Sequence, residues 1–124
     1  MKVAIAGVPK SGKTTKAKEL ASEEKIPVMS TDSLIDLEWS EASLAASYWF
    51  DEQGDFIIEG MMVPRALRKW FRNNKEGKPV DKVIWLGASH VNLTKPQYGM
   101  GRGAHTVLVE IAPLLHNRGV VVEW

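Results

Sequence analysis

The stretch from Gly7 to Thr14 reads GVPKSGKT. It matches the pattern G-x-x-x-x-G-K-[ST], in which a glycine-rich turn curls backbone N–H groups around a phosphate. Residues 2–6 (KVAIA) precede it as a short apolar run, typical of a buried parallel strand, and residues 14–24 follow with a helical pattern. A strand, a glycine-rich loop and a helix in this order predict an anion site at a helix N-terminus.

Each part of this loop has a defined chemical task. We expect Lys13 to bridge the β- and γ-phosphates of a nucleotide and the Thr14 hydroxyl to ligate Mg²⁺, so the implied cofactors are ATP and Mg²⁺. The residues predicted to bind the nucleotide are Gly7, Pro9, Lys10, Ser11, Gly12, Lys13, Thr14 and Thr15. The alternative, a glycine turn that only caps a helix, is disfavoured by the strand and the helix on either side.

The composition is that of one small globular domain. A chain of 124 residues can bury one core but has no room for an appended lid, so we expect a single domain over residues 1–124. Sixteen Lys and Arg against fifteen Asp and Glu exclude a global attraction to nucleic acid or membranes, so any basic site must be local. The absence of cysteine excludes disulfides and thiolate chemistry, and it is compatible with the cytoplasm, where we expect the protein.

Strands and helices alternate along the rest of the chain. Further strands are predicted at residues 26–30, 55–59, 82–86 and 120–123. Helices are predicted at residues 34–50 as one or two pieces with Ser40 capping the second, from Pro64 onward, and at residues 105–117 with a kink or break near Pro113. This alternation predicts an α/β, three-layer fold in which a five-stranded parallel sheet is flanked by helices.

Two carboxylates follow predicted strands, at the edge where such sheets bind ligands. Asp32, just after the second strand, has two interpretations: a base that accepts a proton from an acceptor hydroxyl, or an N-cap for the next helix. Glu59 closes the third strand and is a candidate for supporting Mg²⁺ or for orienting the nucleophile, with an ordinary strand-end residue as the alternative. The choice between metal support and base stays open.

Cations and one aromatic residue complete the candidate site. Arg65 begins the helix after the third strand and is a candidate contact for a substrate anion, whereas Arg68 and Arg72 fit a solvated helix face. Residues 87–103 are predicted to be an irregular, glycine-rich flap, in which Arg102 would stabilise the transferring phosphoryl group as an arginine finger does.

The same predicted flap holds two weaker candidates for substrate binding. Lys95 is a second choice as the cation of the flap, and Tyr98 has two interpretations, stacking on a base or anchoring the loop. The three histidines lack metal-ligand spacing and are interpreted as surface or capping residues.

The chain resembles the phosphate-loop kinase superfamily, especially its compact nucleotide, polynucleotide-end and toxin-like kinases. The resemblance rests on GVPKSGKTT, on STDSLI at residues 30–35 and on FIIEGMMVPRAL at residues 56–67. It implies that Asp32 binds or activates the acceptor and that Arg102 belongs to a flap after the fourth strand. The flap offers one arginine where nucleotide kinases often have several, and no adenine-binding loop follows the fifth strand.

These observations favour an ATP- and Mg²⁺-dependent phosphotransferase acting on a nucleotide-like acceptor. One alternative is a 5′-hydroxyl kinase for nucleic-acid ends, which needs Arg65, Arg68 and Lys95 to line a channel. The other is a nucleotide-binding regulator with little turnover. A GTPase is disfavoured because neither an N-K-x-D guanine motif nor a convincing D-x-x-G switch is present, and a membrane partner is not expected.

Overall fold

The core of the protein is a parallel sheet of five strands. A computed structural model describes all residues from 1 to 124. The strands are β1 (Lys2–Gly7), β2 (Val28–Ser30), β3 (Phe56–Glu59), β4 (Lys82–Leu86) and β5 (Val121–Glu123), in the spatial order β2-β3-β1-β4-β5. All four neighbouring pairs are parallel, which confirms the predicted sheet. The carboxyl end of β1 therefore lies between those of β3 and β4.

Helices cover both faces of this sheet and complete the predicted three layers. They are α1 (Lys13–Glu24), a 3-10 helix (Thr31–Leu34), α2 (Trp39–Trp49), α3 (Val63–Asn73) and α4 (Lys95–Asn117). α1 packs alone on one face, whereas α2, α3 and α4 pack on the other and against one another. None of these helices combines the length and the apolar character that a membrane span requires.

The alternation of side chains along β1 divides the core into its two halves. Val3 and Ile5 point to the α1 side, where Ala17 is fully buried, while Ala4 and Ala6 belong to the larger cluster on the opposite side. The apolar face predicted for α3 is confirmed. Its members Leu67, Trp70 and Phe71 are all buried in the larger cluster.

The predicted flap at residues 87–103 is wrong over its second half, because α4 begins at Lys95 instead of near His105. A capping box fixes this start: the Thr94 side chain accepts from the Gln97 N–H at 3.3 Å, and the Gln97 side chain accepts from the Thr94 N–H at 2.9 Å. Pro96 occupies the first turn, where its missing N–H costs nothing. The helix then continues unbroken past Pro113.

One glycine in the first turns of α4, Gly101, allows close packing. A Cβ at Gly101 would lie 3.0 Å from Val8 Cγ1, so the bare backbone allows α4 to rest directly on the phosphate-binding loop. A Cβ at Gly99 would meet no atom within 4 Å. Several glycines in a short segment favour a loop, but glycine is also required where a helix lies directly against another segment, as α4 does against the phosphate-binding loop.

Two smaller expectations also need correction. Ser40 does not cap α2, because the helix already starts at Trp39 with Glu38 at the N-cap position. β2 starts at Val28, two residues later than predicted. Because it is an edge strand, Val28 is exposed and the other two residues are only partly buried.

The two glycines of α4 offer a matched test of this packing. Gly99→Ala should stabilise the fold by about 0.5–1 kcal/mol, because alanine favours a helix more than glycine does. Gly101→Ala carries the same propensity gain but must displace Val8, so we expect it to be the less stable variant in thermal or urea melts. Identical effects of the two substitutions would contradict the contact between α4 and the loop.

Candidate functional site

The ends of β1 and β3 and the start of α1 surround a cavity of about 340 Å³, termed the phosphate cavity. It is lined by residues 9–15 together with Asp32, Glu59 and Met61. The backbone N–H groups of Lys10, Ser11 and Gly12 donate to no backbone carbonyl, and the first N–H groups of α1 lack helical partners as at any helix start. These free donors fit the phosphates of a nucleotide.

Lys13 is a buried cation beneath this loop. Its Nζ donates to the Val8 carbonyl at 2.7 Å and, at 3.4 Å, to the Gly7 carbonyl and Ser11 Oγ. Burial lowers the pKa of Lys13, while the nearby Glu59 and Asp32 carboxylates act in the opposite direction. The ammonium is thus held close to the phosphate positions by uncharged carbonyl and hydroxyl oxygens, which charged phosphate oxygens can replace.

Thr14 and Glu59 form the oxygen pair expected at a Mg²⁺ site. Glu59 is the last residue of β3 and only 1% exposed, and the Thr14 hydroxyl donates to its Oε1 at 3.4 Å. No cluster of three or more His, Asp or Glu side chains is present. Mg²⁺ in nucleotide sites takes few protein ligands and fills its shell with phosphate and water oxygens, so this pair fits the ion.

Asp32 lies in the 3-10 helix that follows β2, with its side chain exposed. Ser30 is the N-cap of this helix, since its Oγ accepts from the Asp32 N–H at 3.2 Å. The N-cap interpretation of Asp32 is therefore wrong. Its carboxylate makes no salt bridge and is free to accept a proton or a hydrogen bond.

Gly60 sets the position of the segment that carries Asp32. It has a φ of 139°, and a Cβ there would overlap the Thr31 side chain. A larger residue would push the 3-10 helix away from the end of β3. The distance between the carboxylates of Asp32 and Glu59 thus depends on a residue without a side chain.

A second cavity of about 280 Å³, termed the apolar cavity, adjoins the first. Asp32 and Met61 line both cavities. The remaining lining residues of the apolar cavity are Thr31, Leu34, Ile35, Leu37, Trp39, Met62 and Met100. Asp32 is the sole charged side chain among them, so the apolar cavity suits an uncharged group with a hydroxyl directed at this carboxylate.

The other predicted substrate residues lie outside both cavities. Arg102 and Tyr98 line a separate cavity beside Val8, and Lys95 is exposed at the first residue of α4. Arg65 lies in a groove between α2 and α3, with its guanidinium 5.0 Å from the Trp39 ring centroid. The structure brings the loop residues together with Asp32 and Glu59, but not with these four.

Several residues at the site escaped sequence reasoning. Met61, Met62 and Met100 line the apolar cavity, although only the first two follow a strand end directly and could have been inferred from that position. His90 is exposed, as interpreted from the sequence, and in addition its backbone N–H donates to the Lys10 carbonyl at 2.9 Å. A Cβ at Gly12 would lie 2.9 Å from His90 Nε2, so the ring rests on the loop.

No protein-family model matches the sequence, and no curated protein matches it. Solved structures do match. A gluconokinase from Sinorhizobium meliloti 1021 superimposes with a TM-score of 0.53 at 13% identity, over 93% of this chain and 95% of its own. A shikimate kinase from Bacteroides thetaiotaomicron gives 0.52 at 14% identity, over 99% and 85%.

This chain has the fold of those kinases. The shared architecture is the five-stranded parallel sheet with helices on both faces. In this chain that architecture brings the loop after β1 to the same edge as the carboxylates that follow β2 and β3. The expected α/β fold of the phosphate-loop kinases is thereby confirmed.

Proposed function

We propose that the protein is an ATP- and Mg²⁺-dependent phosphotransferase whose acceptor is a nucleotide-like molecule. One observation carries the proposal: Asp32 lines both the phosphate cavity and the apolar cavity. A hydroxyl in the apolar cavity would therefore meet the terminal phosphate of a nucleotide beside a free carboxylate. Both structural neighbours are kinases, which supports the same class of reaction.

The nucleotide side of the reaction uses the loop and the pair at the end of β3. Phosphate oxygens would replace the Val8 and Gly7 carbonyls as partners of Lys13 Nζ, and the free N–H groups of the loop would hold the β-phosphate. Thr14 and Glu59 would hold Mg²⁺, which when bound neutralises charge on the phosphate oxygens.

The acceptor side of the reaction uses Asp32 as a general base. The acceptor hydroxyl gives its proton to the Asp32 carboxylate as its oxygen bonds to the γ-phosphorus. The bond between that phosphorus and the β,γ-bridging oxygen breaks, and ADP leaves. The products are ADP and a phosphate monoester, and the proton passes from Asp32 to solvent.

The lining of the apolar cavity defines the part of the acceptor that enters it. Trp39 offers a flat apolar surface, and the three methionines offer adaptable apolar contacts. The lining contains no cation that could bind an anionic group of the acceptor. An uncharged base and sugar satisfy these conditions, which favours a nucleoside unit with a free hydroxyl.

A nucleotide-binding regulator with little turnover is the second candidate function. One observation favours it: Arg102, the proposed transition-state cation, lies outside the phosphate cavity. Catalysis with Arg102 requires the first turns of α4 to move toward the phosphates, and α4 rests on the loop through Gly101 and Val8.

Lys13→Ala tests the nucleotide site. ATP with Mg²⁺ at about 100 times its Kd should stabilise the wild-type protein by about 2.7 kcal/mol, and Lys13→Ala should lose most of this because the direct contact to the phosphates is gone. Lys18→Ala, which removes an exposed cation from the same helix, is the control. Equal shifts in thermal melts of both variants would remove the basis of the proposal.

Asp32→Asn tests the general base. It should lower turnover by about 10²- to 10⁴-fold and leave ATP binding nearly unchanged, because the amide cannot accept the proton. Asp36→Asn, which changes an exposed carboxylate that lines neither cavity, should behave as wild type. A rate near that of wild type for Asp32→Asn would show that Asp32 is not the base.

Arg102→Ala tests whether α4 supplies the cation that stabilises the transferring phosphoryl group. If α4 carries Arg102 to the transferring phosphoryl group, kcat should fall by about 10³-fold with little change in ATP affinity. Arg102→Lys should restore only part of the rate, because lysine lacks the planar fork. Should Arg102→Ala react at the wild-type rate, the cation at the γ-phosphate must be sought in Lys10, which already lines the phosphate cavity.

A further inference from the structure

A cluster of cations lines a cavity of about 270 Å³ between α2 and α3, termed the basic groove. It contains Arg65, Arg68, Lys69 and Arg72 from successive turns of α3. One carboxylate contacts this set, Glu110 on Arg68 Nη1 at 2.9 Å. The chain as a whole is nearly neutral, so a local excess of positive charge of this size needs an explanation.

Two guanidinium nitrogens in the basic groove have no partner. Arg65 Nη1 and Arg68 Nε are buried, and neither donates a hydrogen bond. Burial lowers the pKa of Arg65, and the adjacent charge of Arg68 lowers it further. Buried donors on charged groups are unfavourable without acceptors, and two like charges side by side increase the cost. An anion in the basic groove would supply a counter-charge for this pair.

The basic groove borders the proposed acceptor site at one residue. Trp39 lines both the basic groove and the apolar cavity, and the Arg65 guanidinium lies 5.0 Å from the centroid of its ring. A ligand that fills the apolar cavity with an uncharged ring can therefore extend past Trp39 and place an anionic group against Arg65. Planar guanidinium groups pair well with phosphate oxygens.

We infer that the basic groove binds a phosphate group attached to the acceptor's sugar, so that the acceptor is a nucleoside unit with a free hydroxyl at one end and a phosphate at the other. This inference rests on the proposed function, because it treats the groove as part of the acceptor site. Two molecules that carry such a group, and that serve as probes, are a nucleoside 3′-phosphate and the 5′-hydroxyl end of a nucleic-acid strand.

Binding without ATP tests the groove independently of catalysis. The probe is a 3′-labelled, 5′-hydroxyl oligodeoxythymidylate of eight residues, measured by fluorescence anisotropy with the full chain. Arg72→Glu and Arg65→Met should each weaken binding by about tenfold or more, since each removes a charged hydrogen bond. Lys18→Glu, with the same charge change on α1 at the opposite face of the sheet, should leave it unchanged. Circular dichroism melts check that Arg65→Met still folds.

Salt dependence and shorter ligands identify the source of the phosphate. Each lost phosphate contact should reduce the slope of log affinity against log salt by about 0.7 for a single strand. A strand end is supported if the octamer binds more tightly than thymidine 3′-phosphate, and a single phosphate if the two bind equally. Groove-independent binding of the octamer, or equally tight binding of a heparin oligosaccharide, would overturn the inference.

Transfer assays separate failure of this inference from failure of the proposed function. With ATP, thymidine 3′-phosphate should have a lower KM than thymidine, and Arg72→Glu should remove that advantage by raising the KM for thymidine 3′-phosphate. If the protein phosphorylates thymidine, and if neither the 3′-phosphate nor the groove variants change the KM, the inference is overturned but the proposed function is not. Groove-dependent binding without transfer to any of these acceptors would instead overturn the proposed function.

Discussion

A buried lysine constrains the whole active edge of this protein. The ammonium of Lys13 is removed from water, and a buried cation is tolerated only when charges and hydrogen bonds compensate it. Its compensating carboxylates, Glu59 and Asp32, follow two different strands. The order β2-β3-β1 brings those strand ends beside the loop. The compensation of the Lys13 charge therefore depends on this strand order.

Close backbone contacts fix the position of the phosphate-binding loop relative to the acceptor side of the site. Gly60 allows Thr31 to approach the end of β3, and Gly101 allows α4 to rest on Val8. Closely packed interfaces of this kind do not deform gradually, because a small displacement of one side already produces steric overlap with the other. A shift of α4 would therefore move the loop at the same time, which couples any approach of Arg102 to the geometry of the phosphates.

The sheet and the phosphate loop could be predicted because their signals are local. Residues 2–6 form a short apolar run typical of a buried strand, and GVPKSGKT carries its chemistry in consecutive positions. α4 was misjudged because the glycines were given more weight than Thr94 and Gln97, whose capping box is equally local. The apolar cavity could not be predicted in the same way, since Met100 reaches it from an element about forty residues beyond Met61 in sequence.

The distribution of charge across the three neighbouring cavities restricts the direction in which a substrate can lie. The phosphate cavity holds Lys10 and Lys13, the apolar cavity holds no cation, and the basic groove holds four. Asp32 separates the first pair of cavities, and Trp39 separates the second. An acceptor with a hydroxyl at Asp32, an uncharged ring in the apolar cavity and a phosphate in the basic groove matches this distribution of charge. An acceptor with its phosphate at the reacting end would instead place that charge against Asp32. The electrostatics therefore favour phosphorylation of a hydroxyl over phosphorylation of an existing phosphate.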